Sequence, residues 1–229
     1  VLASLDMDAG YGNEGPREME LSLGSALEKK PVESTAMTDS LSLDPKTTAL
    51  LVMDYQTVIV SMAPDAENLL ARAGKLLGAA RAKGIRVVYV VVQFREGYPE
   101  VSEKNQAFGG LKSTGRMIEG KPGTEIHAAV APKSGEPLVT KRRVGAFSGS
   151  DLDCVLRGGG IDTIVLAGIS TSGVVLSTLR LAADIDYRIV VVEDCCADPD
   201  AEVHRVLTEK IFPRQAKVVK SETILAALA

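Results

Sequence analysis

The feature that most constrains the fold of this chain is a series of short apolar runs separated by longer amphipathic stretches. The runs are rich in Val, Ile and Leu and cover 48–53, 85–92, 137–140, 162–167, 187–192 and 216–219. They are apolar throughout rather than alternating with polar residues, a pattern typical of parallel strands buried on both faces. The sequence therefore predicts six strands of a mostly parallel sheet.

The stretches between these runs predict helices, because their apolar residues recur with a helical period. The predicted helices cover 65–83, 148–158, 172–184, 200–212 and 221–228. The segment 93–135 is rich in Gly and Pro and predicts at most one short helix near 124–131. Strands separated by helices favour an α/β fold, here a three-layer α/β/α sandwich of the Rossmann-like kind with a six-stranded sheet.

The first 43 residues differ from the rest of the chain in charge and in apolar pattern. Residues 1–40 hold eight acidic and three basic residues, whereas the remainder holds 22 acidic and 23 basic residues. The segment has little periodic apolar surface with which to offset the entropy lost on ordering. We therefore expect an acidic, flexible or loosely docked N-terminal extension over 1–43 and a single domain over 44–229.

Composition excludes several classes of function. The sequence has no stripe of basic residues of the kind that binds nucleic acid. No apolar run approaches the roughly 18–20 residues of a membrane span. The three cysteines form no CxxC pair and no disulfide framework, which favours a reducing, cytoplasmic environment. The two histidines share no short segment, so we expect neither a metal site nor a cofactor.

Charged and small residues follow the predicted strands at their carboxyl ends. Asp54 follows the first strand, Lys141 follows the third, and a Gly/Ser/Thr-rich turn over 168–173 follows the fourth. In open parallel sheets the ligand site lies beyond these ends, near the point where the strand order reverses. The sequence therefore predicts a site that combines a carboxylate, an ammonium group and a turn rich in backbone N–H groups.

Common nucleotide-binding and hydrolase motifs are absent. No GxGxxG follows the first strand, and no GxxxxGK[ST] occurs anywhere in the chain. The turn at 168–172 does not match the G-x-S-x-G nucleophile elbow, because its fifth residue is Ser172. His204 lies on a predicted helix, and we expect it to be structural or solvated rather than catalytic.

Several longer motifs carry a resemblance to a known family. They are ALLVMDYQ at 49–56, VTKRRVGAFSGSDLD at 139–153 and IVLAGISTSGVVLSTLRLAADIDYRIVVVEDCCAD at 164–198. Over about residues 44–228 the chain resembles the isochorismatase-like hydrolases, also called the cysteine hydrolase superfamily. The resemblance implies a hydrolase that acts on a small molecule and assembles as a homodimer or homotetramer.

The resemblance also implies site residues, because members of the family bring together an Asp, a Lys and usually a Cys. Asp54 matches the Asp and Lys141 matches the Lys. The nucleophile position falls on Val174, or on Gly173 with a shift of one residue, and neither carries a thiol. Amidases of the family need a thiolate to form a thioester, whereas a second branch hydrolyses the vinyl ether of isochorismate without one. The resemblance therefore favours acid catalysis by Asp54 on an isochorismate-type substrate.

Further side chains near the predicted strand ends are candidates for substrate binding. They are Gln56, Gln93, Phe94, Arg95, Phe147, Ser170 and Thr171. The resemblance also implies a cis peptide bond between Ile169 and Ser170. Two alternatives stay open: an amidase-type hydrolase that uses a hydroxyl of Ser170, Thr171 or Ser172, and an inactive family member that acts as a binding scaffold.

Overall fold

A computed structural model describes residues 41–229. The expected extension over 1–43 therefore lies almost entirely outside the described residues. The described part is built on one sheet of six strands, all parallel, in the order β3-β2-β1-β4-β5-β6. The strands are β1 (Thr48–Met53), β2 (Arg86–Val92), β3 (Leu138–Lys141), β4 (Thr163–Ile169), β5 (Arg188–Ala197) and β6 (Lys217–Val219).

Helices connect the strands. They are α1 (Thr57–Val60), α2 (Ala66–Ala82), α3 (Leu111–Thr114), α4 (Leu152–Gly158), α5 (Leu176–Asp184), α6 (Ala201–Val206) and α7 (Ser221–Ala227). All of them except the short α1 and α3 overlap helices that the apolar periodicity predicts. A π-helical segment at Thr171–Val175 leads into α5, and another at Leu207–Ile211 follows α6. Short 3₁₀ turns lie at Ala128–Val130 and Phe212–Arg214.

The hydrophobic core lies on both faces of the sheet. On one face α2 and α7 pack against alternate residues of β1, among them Leu50 and Val52. On the other face α4, α5 and the segment that ends at Phe212 pack against Leu51 and Met53. Because both faces are covered, β1 is buried along its whole length. The predicted three-layer α/β/α sandwich is confirmed.

The order of the strands reverses between β1 and β4. From β1 the chain moves outward through β2 to β3, and it then returns to β4 and continues outward through β5 to β6. Met53 pairs with Gly168, so the carboxyl ends of β1 and β4 lie side by side. This juxtaposition places Asp54 beside the turn that begins at Ser170, at the predicted reversal point.

The structure departs from the predicted element boundaries in several places. β5 continues to Ala197 instead of ending near 192, so Cys195 and Cys196 lie within a strand. The helix predicted over 148–158 begins only at Leu152, and the region near 124–131 contains one 3₁₀ turn. Leu43 is buried in the core, one residue before the expected start of the domain. Within 41–229 no helix is both long and apolar enough to cross a membrane.

Candidate active site

The centre of the candidate site is an ion pair between Asp54 and Lys141. Asp54 directly follows β1, and Lys141 is the last residue of β3, on the far side of β2. The Lys141 Nζ lies 2.9 Å from the Asp54 Oδ2, and the two side chains are only 2% and 6% exposed. Burial of two charges is costly unless they are paired, so the fold must hold these groups together.

The backbone at Asp54 adopts an uncommon conformation. Its φ of 58° lies in the left-handed region, which residues other than glycine seldom occupy. Its backbone N–H donates to the Val90 carbonyl at 2.8 Å, which fixes the residue to the end of β2. Strained residues of this kind persist only where the surrounding structure enforces them, and they cluster at functional sites.

The two oxygens of the Asp54 carboxyl have different surroundings. Oδ2 accepts from Lys141, whose Nζ also donates to the Arg143 carbonyl at 3.1 Å. Oδ1 is buried and has no hydrogen-bond partner among the described residues. Burial raises the pKa of Asp54 above its usual value, and the neighbouring Lys141 ammonium opposes this rise without cancelling it. The buried site therefore favours the protonated form of this carboxyl more than water does.

A cavity of about 250 Å³ opens beside this ion pair. Apart from Asp54 and Lys141, its lining is mostly apolar and includes Val174, the residue at the expected nucleophile position. The remaining lining residues are Ile59, Met62, Val92, Phe108, Val144, Ile169, Ser170, Gly173 and Pro199. An apolar pocket with a few polar groups at one end is the usual form of a small-molecule site.

The turn after β4 forms one wall of the cavity and is held by side-chain hydrogen bonds. The Ile169–Ser170 peptide bond is cis, as expected. The Gly173 N–H donates to the Ser170 Oγ at 3.1 Å, and the Ser172 N–H donates to an Asp198 carboxylate oxygen at 2.7 Å. Thr171 Oγ1 and His204 Nδ1 are hydrogen-bonded at 2.8 Å, so His204 has a structural contact here. These bonds fix the turn against the start of α6.

No cysteine lines the cavity. Cys154 is exposed on α4, whereas Cys195 and Cys196 are buried in β5. Burial raises the pKa of the Cys196 thiol to about 12 and also raises that of Cys195. Neither buried thiol is disposed to ionise near neutral pH, so neither is a suitable nucleophile.

The predicted binding residues are divided between the cavity and other parts of the molecule. Ser170 lines the cavity, together with Asp54 and Lys141, but six others are absent from its lining. Gln56 is fully buried and bonds through its amide to the backbone of Val92 and Thr124, so it connects loops rather than contacting a ligand. The side chain of Gln93 likewise donates to the Thr124 carbonyl.

The other predicted binding residues also have neighbours that explain their position. Phe94 is buried in a small cluster, where its ring packs against the ring of Phe108 at a tilt of 60°, with the centroids 5.1 Å apart. Arg95 points to Glu100 in a second cavity, and Phe147 packs on Tyr187 at 5.9 Å. Thr171 is fully buried, with its hydroxyl on His204 as described above. These placements share one cause, since a residue next to a strand end can turn toward the core, toward another loop or toward the cavity.

Several residues that line the cavity were not predicted, and most of them are apolar. Ile59 and Met62 come from the short region around α1, and Phe108 comes from the Gly- and Pro-rich segment 93–135. Met62 is 55% exposed, which is unusual for a large apolar residue. The one available signal was the presence of apolar residues in segments without periodicity. No group of three or more potential metal ligands occurs within 41–229.

Comparison with known proteins agrees with the fold and the motifs. The family model of the isochorismatase domain matches residues 48–223, so the chain belongs to the isochorismatase family. It is 38% identical to the isochorismatase family protein YecD of Escherichia coli O157:H7, over 82% of this chain and the whole of that protein. It is also similar to the structure of an isochorismatase family protein from Burkholderia thailandensis, with a TM-score of 0.71, 29% identity and coverage of 82% and 97%.

Two further relatives carry names that state an activity. The maleamate amidohydrolase of Pseudomonas putida is 28% identical, over 79% of this chain and 86% of that protein. A probable isochorismatase of Pseudomonas chlororaphis is 31% identical, over 80% and 87%. The relatives therefore include one protein named as an amidohydrolase and one named as a probable isochorismatase.

Proposed function

We propose that the protein is a hydrolase of small carboxylated molecules that cleaves enol (vinyl) ethers, with Asp54 as the general acid. One observation carries this proposal: a buried carboxyl group lines an apolar cavity, with one oxygen on Lys141 and the other without a partner in the described structure. A carboxylic acid that is protonated near neutral pH is the group that such a cleavage requires.

The proposed reaction needs no covalent enzyme intermediate. Asp54 gives its proton to the methylene carbon of an enolpyruvyl ether, and the electron pair of the double bond forms the new C–H bond. The adjacent carbon becomes an oxocarbenium ion, to which water adds to form a hemiketal. The proton that the added water loses restores the Asp54 acid. The bond from the hemiketal carbon to the ether oxygen then breaks while the hemiketal hydroxyl proton passes to the departing oxygen, which releases an alcohol and pyruvate.

Lys141 has two proposed roles in this reaction. Its ammonium holds the Asp54 carboxyl in place through Oδ2, and it presents positive charge to the carboxylate of the substrate. The apolar wall that includes Val92, Phe108 and Val174 would receive the ring or chain of the substrate. Because this wall excludes water, it also maintains the raised pKa of Asp54.

The absence of a thiol favours this reaction over amide hydrolysis. A family amidase needs a nucleophile that forms an acyl-enzyme, and Val174 cannot supply one. Ser170 is the hydroxyl among the lining residues of this cavity, and its oxygen accepts from the Gly173 backbone. A serine hydroxyl is a weak nucleophile without a neighbouring base, so the amidohydrolase relatives are poorer guides to this chain than the isochorismatase relative.

The test is incubation of the purified protein with isochorismate in D₂O, with detection of pyruvate by mass spectrometry after rapid reduction to lactate. The wild type should release pyruvate that carries one deuterium in its methyl group, because Asp54 delivers a solvent proton to carbon. The variant Asp54→Asn should lose nearly all activity, since an amide cannot serve as the acid.

Asp151→Asn is the matched control, because Asp151 is exposed and its side chain makes no cap hydrogen bond. It should retain wild-type activity. Absence of pyruvate from the wild-type reaction, or full activity in Asp54→Asn, would contradict the proposal. Inactivation by iodoacetamide would also contradict it, because it would indicate that a thiol is required.

A further inference from the structure

Three arginines are among the six residues that line a second cavity, next to the candidate active site. It has a volume of about 390 Å³ and is lined by Arg95, Glu100, Arg142, Arg143, Ser148 and Gly149. It shares no lining residue with the Asp54 cavity. The segment that follows β3 nevertheless serves both, because Lys141 and Val144 face one cavity while Arg142 and Arg143 face the other.

The Glu100 carboxylate binds two of the three guanidinium groups, and backbone carbonyls hold the third. Glu100 Oε1 accepts from Arg95 at 2.7 Å and from Arg142 at 2.8 Å. Arg143 donates to the carbonyls of Glu100 and Arg142, at 3.2 and 2.6 Å. Burial alone would raise the pKa of Glu100, but hydrogen bonds from its own backbone, Arg142 and Arg95 bring it below the usual value. Glu100 is therefore ionised, and these four side chains carry a net charge of two positive units.

The nearby carboxylate of Glu119 does not neutralise the remaining positive charge of this cavity. Glu119 is 58% exposed and lies 3.5 Å from Arg142, so solvent weakens its contribution. Each guanidinium has five N–H donors, and those bonded above are a minority of the total. Three like charges in one cavity repel one another, and an anion that accepts the spare donors would relieve this repulsion.

We propose that this arginine cavity is a binding site for a doubly charged oxyanion. Phosphate monoesters and dicarboxylates share this chemistry, and guanidinium groups match both because they donate two parallel hydrogen bonds. The site is independent of the proposed reaction. The arginine cavity nevertheless lies close to the candidate active site, because the Arg143 carbonyl accepts a hydrogen bond from the Lys141 Nζ.

Calorimetric titration of the full chain at low ionic strength tests the proposal, with inorganic phosphate and succinate as separate probes. At least one should bind with a stoichiometry of one per chain, and the preferred probe identifies the class of anion. Arg142→Gln and Arg143→Gln should each weaken binding about tenfold or more, because each removes a charge-assisted hydrogen bond. Arg188→Gln is the charge-matched control, since Arg188 is exposed at the start of β5, and it should bind like the wild type.

A second pair of variants changes a residue that takes no part in the hydrogen bonds described for the three arginines. Ser148 is exposed and lines the cavity. Ser148→Glu should abolish binding by placing a carboxylate among the guanidinium groups, whereas Ser148→Gln, of similar size, should retain it. Failure of both anions to bind the wild type would overturn the proposal. Equal affinity in Ser148→Glu and Ser148→Gln would overturn it too, because the anion would then bind elsewhere.

Discussion

At the scale of single residues, the site depends on the balance between burial and charge at Asp54. Burial disfavours the ionised carboxyl, and the Lys141 ammonium 2.9 Å away favours it. Burial has the larger effect, so the pKa of Asp54 lies above its usual value despite the ammonium. This balance can be tested through activity and through stability.

The proposed reaction should slow as the pH rises. If Asp54 acts as an acid, its protonated fraction falls tenfold for each pH unit above its pKa, and kcat/KM for pyruvate release falls with it. A pH–rate profile of the wild type measures this decline. A rate that rises with pH would contradict acid catalysis, since it would indicate a carboxylate acting as a base.

Substitution of Lys141 by Met should destabilise the protein in a pH-dependent way. Loss of one partner of a buried ion pair costs about 3–5 kcal/mol. Without the ammonium, the folded-state pKa of Asp54 rises further above its unfolded value. The native state then binds a proton that the unfolded state has released, so stability falls as the pH rises between these two pKa values.

Urea unfolding from pH 4 to pH 8 measures this effect in Lys141→Met. The loss of stability should be smallest at acidic pH and grow as the pH rises. Lys75→Met, at an exposed position of α2, is the matched control and should behave like the wild type at each pH. A loss of the same size throughout the range would show that Asp54 and Lys141 are not electrostatically coupled.

Sequence reasoning at this scale placed Asp54 and Lys141 together because the parallel sheet dictates where strand ends meet. Gln56 and Phe94 are equally close to strand ends, but the structure places both outside the lining of the cavity. Their direction depends on the path of the 93–135 segment, whose Thr124 and Phe108 contact them. Because the segment 93–135 has no apolar periodicity, its path through the structure could not be predicted from the sequence.

At the scale of secondary-structure elements, the close approach of β1 and β4 beside the site depends on Gly168. A Cβ built at Gly168 would lie 3.1 Å from Met53 Cβ and from Val175 Cγ2. Met53 directly precedes Asp54, and Val175 belongs to the π-helical segment after β4. The glycine thus lets three parts of the site region pack closely.

We expect Gly168→Ala to destabilise the protein by about 1–3 kcal/mol, the usual effect of overpacking a core. Gly78→Ala on α2 is a fitting control, because a Cβ there meets nothing within 4 Å. It should leave stability unchanged or raise it by up to about 1 kcal/mol, since alanine favours a helix more than glycine does. Chemical denaturation compares the two, and equal stability in both variants would contradict close packing at Gly168.

The elements themselves were predicted better than their ends. Wholly apolar runs identified all six strands, but β5 extends five residues further because Cys195, Cys196 and Ala197 are buried beside β4. The two acidic residues that precede them, Glu193 and Asp194, interrupt the apolar pattern, so the predicted strand ends before them. Asp194 accepts hydrogen bonds from the backbone and hydroxyl of Ser221 at the start of α7, a tertiary contact that no local pattern reveals.

At the scale of the whole molecule, the hydrophobic core includes a residue that precedes the expected start of the domain. Leu43 is buried in the core, although periodic apolar residues begin only with β1. An isolated leucine gives no period, so pattern analysis could not assign it to the core.

Leu43→Ala should therefore cost about 2–5 kcal/mol, the usual effect of such a substitution in a core. Leu138→Ala is its counterpart at a position that is 54% exposed, and it should change stability by less than about 0.5 kcal/mol. Thermal unfolding of the full chain distinguishes them. A similar melting temperature for both variants would contradict the placement of Leu43 inside the domain.

The left-handed backbone conformation of Asp54 places thermal stability and catalytic activity in conflict at this position. Glycine and asparagine adopt a φ near 58° more readily than aspartate does, and neither places a charge in the interior. Replacement of Asp54 alone would leave the buried Lys141 ammonium without its partner. A directed-evolution campaign that rewards heat resistance alone should therefore replace both residues together, with Gly or Asn at position 54 and an apolar residue at position 141, and yield stable, inactive proteins. Only a campaign that also rewards turnover should keep the native residue.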